Sequence, residues 1–139
     1  MREIKFRAWE TLNQKMYGWE DFNGMNPLNC FSEANNWKPM QYTGLKDKNG
    51  VEIYEGDILK ISEVLDVKNF ITDVYYDKGA FRYRHNDNSG SVCDWVSTSK
   101  VKNYENVTVD IEVIGNIYEN PKLHSRCKAI KRAWRKARR

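Results

Sequence analysis

At 139 residues the chain is long enough for one domain with a real core and too short for two, and aromatics at 13% argue against disorder throughout. Twenty-three Lys or Arg against nineteen Asp or Glu leave a net charge of +4 that hides two parts of opposite sign. Residues 122–139 (KLHSRCKAIKRAWRKARR) carry nine basic side chains and no acid, while the chain before them holds fourteen basic groups against all nineteen acidic ones.

No stretch approaches the roughly eighteen apolar residues of a membrane span. The start, MREIKFRAWE, alternates apolar and charged residues where a secretory signal would be uninterrupted, so a soluble cytosolic protein is the expectation. Cys30, Cys93 and Cys127 are odd in number, far apart and in no Cys-x-x-Cys arrangement. Free thiols are therefore expected in place of a disulfide framework or a structural zinc site.

Strand signals come first along the chain. Ile4, Phe6 and Ala8 alternate with Lys5, Arg7 and Trp9, Glu10 to Lys15 supplies a polar turn, and Met16-Tyr17-Gly18-Trp19 forms the returning arm of a hairpin. The Asn-rich residues 21–39 read as an irregular insertion in which Pro27 and Pro39 block regular structure. In Gln41 to Ile61 (QYTGLKDKNGVEIYEGDILKI), Asn49-Gly50 offers the positive φ values of a tight hairpin turn, Val51 to Tyr54 alternates as one arm, and Gly56-Asp57 turns the chain into a second strand. Phe70 to Tyr76 and Ala80 to Arg84 flank Asp77-Lys78-Gly79, the spacing of a three-residue hairpin with Gly79 left-handed. Phe81 and Tyr83 should face one way, Arg82 and Arg84 the other. His85 to Ser91 (HNDNSGS) reads as a polar loop, Val92 to Val96 as a short strand, and Val107 to Tyr118 as the longest strand, bulged or bent at Gly115. Asn120 then caps, and Pro121 opens the one strong helical pattern. The expected fold class is mainly β: a small twisted, barrel-like body of hairpins over residues 1–121 and one basic C-terminal helix over residues 122–139.

Three segments stand out together: REIKFRAW with KMY near the start, QYTGLKDKNGVEIYEGDILKI in the middle and IEVIGNIYENPKL near the end. In this order they resemble the YopX family of phage and prophage proteins, over nearly the whole chain apart from the Asn-rich insertion, a divergent middle and the basic tail. The resemblance implies a mainly β protein of the bacterial host cytoplasm and supplies no activity or catalytic residue to carry over. Its motifs look structural, with Gly50, Gly56 and Gly115 at turns or a bend and Tyr54 and Tyr118 on strands.

The basic tail is the leading candidate site. On a helix Leu123, Cys127, Ile130 and Trp134 fall in a narrow stripe, while Lys128, Lys131, Arg132, Arg135, Lys136, Arg138 and Arg139 carry positive charge around the remaining surface. Like charges recur at i,i+4, as in Lys128/Arg132 and Lys131/Arg135, each costing an isolated helix roughly 0.2–0.5 kcal/mol. The segment calls for a counter-charge. DNA or RNA supplies it through sequence-independent phosphate contacts, and no base-reading motif is present. The competing expectation is a protein-interaction module, self-assembling or inhibiting a host protein, whose tail docks on an acidic surface. A membrane is not expected as the partner, because the apolar stripe is narrow for lipid insertion. A homo-oligomer is expected, with Leu123, Ile130 and Trp134 at or near the contact, since edge strands and the stripe both need cover.

Elsewhere the bland readings are favoured. Tyr83, Arg82, Arg84 and His85 could clamp a single strand, but arginine on the outer face of a hairpin is commonplace. Trp9, Trp19, Trp37 and Trp95 are better core residues than a stacking surface. His85, Asp87, Cys93 and Asp94 fit loop chemistry better than a Cys/His site, His124 has no ligand-spaced neighbour, and Glu55/Asp57 flank a turn glycine. No enzyme and no cofactor are expected.

Overall fold

The computed structural model describes residues 3–22, 36–63, 69–85, 88–91 and 109–128. Ten strands are described, all paired antiparallel, and the body curls as a half-barrel. β1 (Phe6–Glu10), β2 (Lys15–Tyr17), β3 (Trp37–Lys46) and β4 (Glu52–Tyr54) form a four-stranded sheet in the order β2-β1-β3-β4. β5 (Asp57–Glu63), β6 (Asn69–Asp73) and β10 (Val109–Asn116) form a second sheet in the order β10-β5-β6. β7 (Tyr75–Asp77), β8 (Ala80–His85) and β9 (Asn88–Ser91) form a third. A helix, α1, runs over residues 121–128 and begins at Pro121 as its missing N–H and fixed φ favour. The expected class, mainly β with one C-terminal helix, is the class observed.

The principal core lies where these sheets meet. Ile53, Leu59, Ile61, Val74 and Ile111 are buried together, with Leu45, Phe70, Phe81, Tyr83 and Val113 packed around them. Burial of each such side chain contributes roughly 1.5–3 kcal/mol. Phe81 and Tyr83 share a face and both reach this core, as their alternation predicts. A smaller cluster beside the first hairpin joins Ala8 and Phe22 to Tyr17, Trp19 and Trp37. Trp19 and Trp37 are therefore packing residues, and Trp95 lies outside the described residues.

Several local expectations need correction. Pro39 does not interrupt regular structure; it lies inside β3, opposite Ala8. β4 pairs with β3 only from Tyr42 onward, so at Pro39 one edge of β3 has no described strand beside it and a missing N–H costs no ladder bond. Residues 23–35, the bulk of the expected insertion, lie outside the described residues. The arm after the first turn stops at Tyr17, and Trp19–Phe22 is a short 3-10 helix. At the β3–β4 turn Gly50 alone takes positive φ, +82°, and Asn49 does not. The reason is Asp47, whose carboxylate already holds the amides of Asn49 and Val51 in another turn geometry. Between β7 and β8 the loop has two residues, not three: Asp77 pairs with Ala80, and Lys78 and Gly79 both adopt positive φ, the pattern that matches strand twist in a two-residue hairpin. Within the polar His85–Ser91 segment, Asn88–Ser91 is not loop but β9, and His85 pairs with Asn88; residues 86 and 87 lie outside the described residues. Backbone pairing there overrides a composition that favours turns. The expected strand at Val92 to Val96 lies outside the described residues.

Candidate functional site

The three sequence segments singled out above meet in the fold, and their polar residues hold one another. Lys5 donates to Glu52 at 2.7 Å, and the Arg7 guanidinium donates to buried Asp57 while lying 4.7 Å from the centre of the Tyr54 ring. Tyr54 donates its hydroxyl to Glu52 at 3.0 Å, and its amide donates to Asp57 at 2.7 Å. Burial and the Glu52 carboxylate push the Tyr54 phenol up to about 12. Burial also pushes the Asp57 carboxyl up, against the pull of Arg7 and the Tyr54 amide. Asp57 is thus a structural anchor of its turn, tied to an arginine fifty residues away.

Asp47 performs a second tie. Besides the two turn amides it accepts from the amide of Val113 at 2.9 Å, next to the register shift of β10 between Val113 and Gly115. Burial raises its pKa, but the three N–H groups outweigh burial and hold the carboxyl below the usual aspartate value. The bulge predicted at Gly115 is present, with a closer cause for the glycine. A Cβ there would stand 2.4 Å from the Asn120 side-chain oxygen, which has turned back to accept from the Asn116 amide at 3.1 Å. Asn120 is the residue before the helix and its carbonyl accepts from the His124 amide. The described bond of its side chain closes the end of β10, where an N-cap side chain was expected to serve the helix.

Gly56 is the meeting point of the sheets. Its amide donates to the Val74 carbonyl, its carbonyl accepts from the Ile117 amide, and Val74 donates to Asp57. Its φ is +83°, and a Cβ would stand 3.2 Å from the Met40 sulfur. Around this point is a cavity of about 120 Å³. Pro39, Met40, Val74 and Ile117 give it apolar walls, and Tyr75, Tyr118, Glu55 and Asp73 give it polar ones. Burial pushes the Glu55 carboxyl up, and burial and the Glu55 charge push the Tyr118 phenol up, so those two groups lie within electrostatic reach. Trp9 stacks on Tyr118 with centroids 5.9 Å apart and planes 11° apart. In sequence Glu55 reads as turn chemistry, and Tyr118, expected on the long strand, lies in the turn that follows β10, which ends at Asn116. Their convergence has no local signal, because it depends on three sheets meeting at Gly56.

The helix lies beside this region in sequence, and its described part shows how the stripe is used. Cys127 is 2% exposed and Leu123 is half-buried within the single chain. Cys127 is a free thiol, while Cys30 and Cys93 lie outside the described residues. Lys122, Arg126 and Lys128 are exposed, and none forms an ion pair among the described residues. Of the residues expected to hold phosphate, Lys128 is in this helix; Lys131, Arg132, Arg135, Lys136, Arg138 and Arg139 lie outside the described residues, as do Ile130 and Trp134. Arg82 bonds the Asp77 carbonyl within its own hairpin. Asp87, Cys93 and Asp94 lie outside the described residues. No helix among the described residues is long and apolar enough to cross a membrane.

Comparison with known proteins places this geometry. The family model described as YopX protein matches residues 27–124. The crystal structure of protein EF1440 from Enterococcus faecalis is similar at 27% identity and a TM-score of 0.58, covering 88% of this chain and 99% of that one. The crystal structure of protein yopX from Bacillus subtilis is similar at 20% identity and a TM-score of 0.56, covering 88% and 98%, a likeness of fold. No curated protein sequence matches the chain.

Proposed function

The chain belongs to the YopX protein family, and from that premise we propose that it is a non-enzymatic phage or prophage accessory protein. Its β body is a scaffold, and its basic C-terminal segment binds DNA or RNA through phosphate contacts. The observation that carries this reading is the division of labour on α1. Cys127 is buried and Leu123 half-buried, while Lys122, Arg126 and Lys128 are exposed and have no acidic partner among the described residues. Among the described residues no acid of the body pairs with these cations, so the repulsion between them is left for an external polyanion to relieve. Lys131, Arg132, Arg135, Lys136, Arg138 and Arg139 extend the same charge along the chain. The absence of a base-reading motif makes the binding weakly sequence-specific.

Binding to mixed-sequence DNA and RNA across a salt series tests the reading. With six to ten phosphates engaged, affinity should fall by roughly 10³–10⁵ between 50 and 200 mM salt. A chain ending at Leu123 should lose binding. No detectable binding by the full chain at low salt would sink the proposal.

A further inference from the structure

The cavity at Gly56 is not used by the proposed nucleic-acid binding, and its chemistry is opposite to that of the tail. We infer that it is a receptor for one alkylammonium group, such as a lysine side chain or a small aliphatic amine. Its volume, about 120 Å³, is smaller than a drug-sized pocket and suits a chain of a few methylenes and one charged head. Pro39, Met40, Val74 and Ile117 supply apolar wall for the methylenes. Tyr75 and Tyr118 line the same space, and an ammonium group is attracted to the face of a tyrosine ring. The Trp9 stack holds the Tyr118 ring in place.

The charged wall selects the sign. Glu55 is half-buried, and the influences on its carboxyl are burial and the Gln41 amide, with no lysine or arginine among them. Asp73, 7% exposed, is a second acidic residue of the lining. The Glu55 carboxylate repels phosphate and carboxylate ligands, which separates this cavity from any polyanion site. The two acidic residues of the lining fall short of an all-protein calcium cage, which takes six to eight oxygen ligands, and no group of three or more His, Cys, Asp and Glu gathers among the described residues. An organic cation with an aliphatic stem satisfies the carboxylate, the rings and the apolar walls together.

The test is an amide NMR titration of the full chain with n-butylammonium at constant ionic strength, with n-butanol as the neutral control. Saturable shifts are expected at Gly56, Val74, Tyr75, Ile117 and Tyr118, with a Kd on the order of 1 mM for a ligand of about five non-hydrogen atoms. Butanol should leave them unshifted. Glu55→Gln should weaken binding about tenfold, the loss of one charge-assisted contact. That variant removes a charge that burial disfavours, so the fold is retained, and Tyr75→Leu, which removes one ring, should weaken binding as well. N-acetyl-lysine methylamide distinguishes the source: binding as tight as the free amine assigns the site to protein lysines, and binding of the amine alone assigns it to a small ligand. Unsaturable shifts, an equal response to butanol or unchanged affinity in Glu55→Gln overturns the inference. Nucleic-acid affinity should be the same in Glu55→Gln and the parent, so failure here is distinct from failure of the phosphate-binding reading.

Discussion

At the scale of single residues, the strongest commitments are two aspartates in the central segment. Asp57 is 1% exposed and paired to Arg7. Removing either partner leaves the other charge buried and uncompensated, so Asp57→Ala and Arg7→Met should each cost about 3–5 kcal/mol in urea denaturation. The double variant should cost less than the sum, because neither orphan charge remains. A fully additive pair would show that the contact contributes nothing. Asp47 predicts a pH effect whose sign follows from its depressed pKa. Its stabilisation is present above the ordinary carboxylate value of about 3.9 and is lost as pH falls through the lower folded value. Asp47→Ala should therefore destabilise by roughly 1–3 kcal/mol at neutral pH and flatten the acid limb of the stability profile. Glu55 has the opposite sign: with its pKa raised by burial, it destabilises the fold as pH rises, and Glu55→Gln should be neutral or stabilising at pH 7.

At the scale of elements, the glycines mark where strands change direction, and two of them have different physical reasons. Gly56 needs its backbone conformation as well as space: φ is +83° and Met40 closes over it. Gly115 needs space alone, since the Asn120 side chain occupies the position of a Cβ. Gly115→Ala should be strongly destabilising in the parent and markedly less so with Asn120→Ala, a coupling that a double-mutant cycle measured by thermal or chemical denaturation reads directly. Gly56→Ala should remain costly in the same background. Equal penalties for Gly115→Ala with and without Asn120 would remove the side chain as the cause. The helix is an element with two faces, of which the described part buries Cys127 and exposes Lys122, Arg126 and Lys128.

At the scale of the whole molecule, the unequal charge of body and tail predicts how copies of the chain meet. The proposal of a homo-oligomer, with Leu123, Ile130 and Trp134 at or near the contact, rests on the need to cover the apolar stripe and on an acidic body facing a basic tail. Light scattering at micromolar concentration should report a mass above that of the monomer, and Ile130→Ala with Trp134→Ala should lower it. A monomeric full chain defeats the proposal, and an unchanged oligomer in the double variant removes the helix from the contact. Raised salt should weaken nucleic-acid binding more than self-association if the apolar stripe dominates the contact, because apolar burial is not screened.

The sequence by itself determined the fold class, most of the strands, the bulge in β10, the start of the helix at Pro121 and the separation of charge. Each of these is written in neighbouring residues: alternation with period two, a glycine within a strand, a proline after an asparagine, a run of lysines and arginines. Where local chemistry was ambiguous the local reading failed. Pro39 entered a strand because a strand edge was open beside it, and Asn88–Ser91 became a strand because it found a partner in β8. Only the tertiary structure decided what joins Lys5 to Glu52, Arg7 to Asp57 and Asp47 to Val113, and what brings Glu55 and Tyr118 to one cavity. These pairs are separated by tens of residues, and a contact of that kind arises from the packing of three sheets against one another, to which no single window of sequence has access.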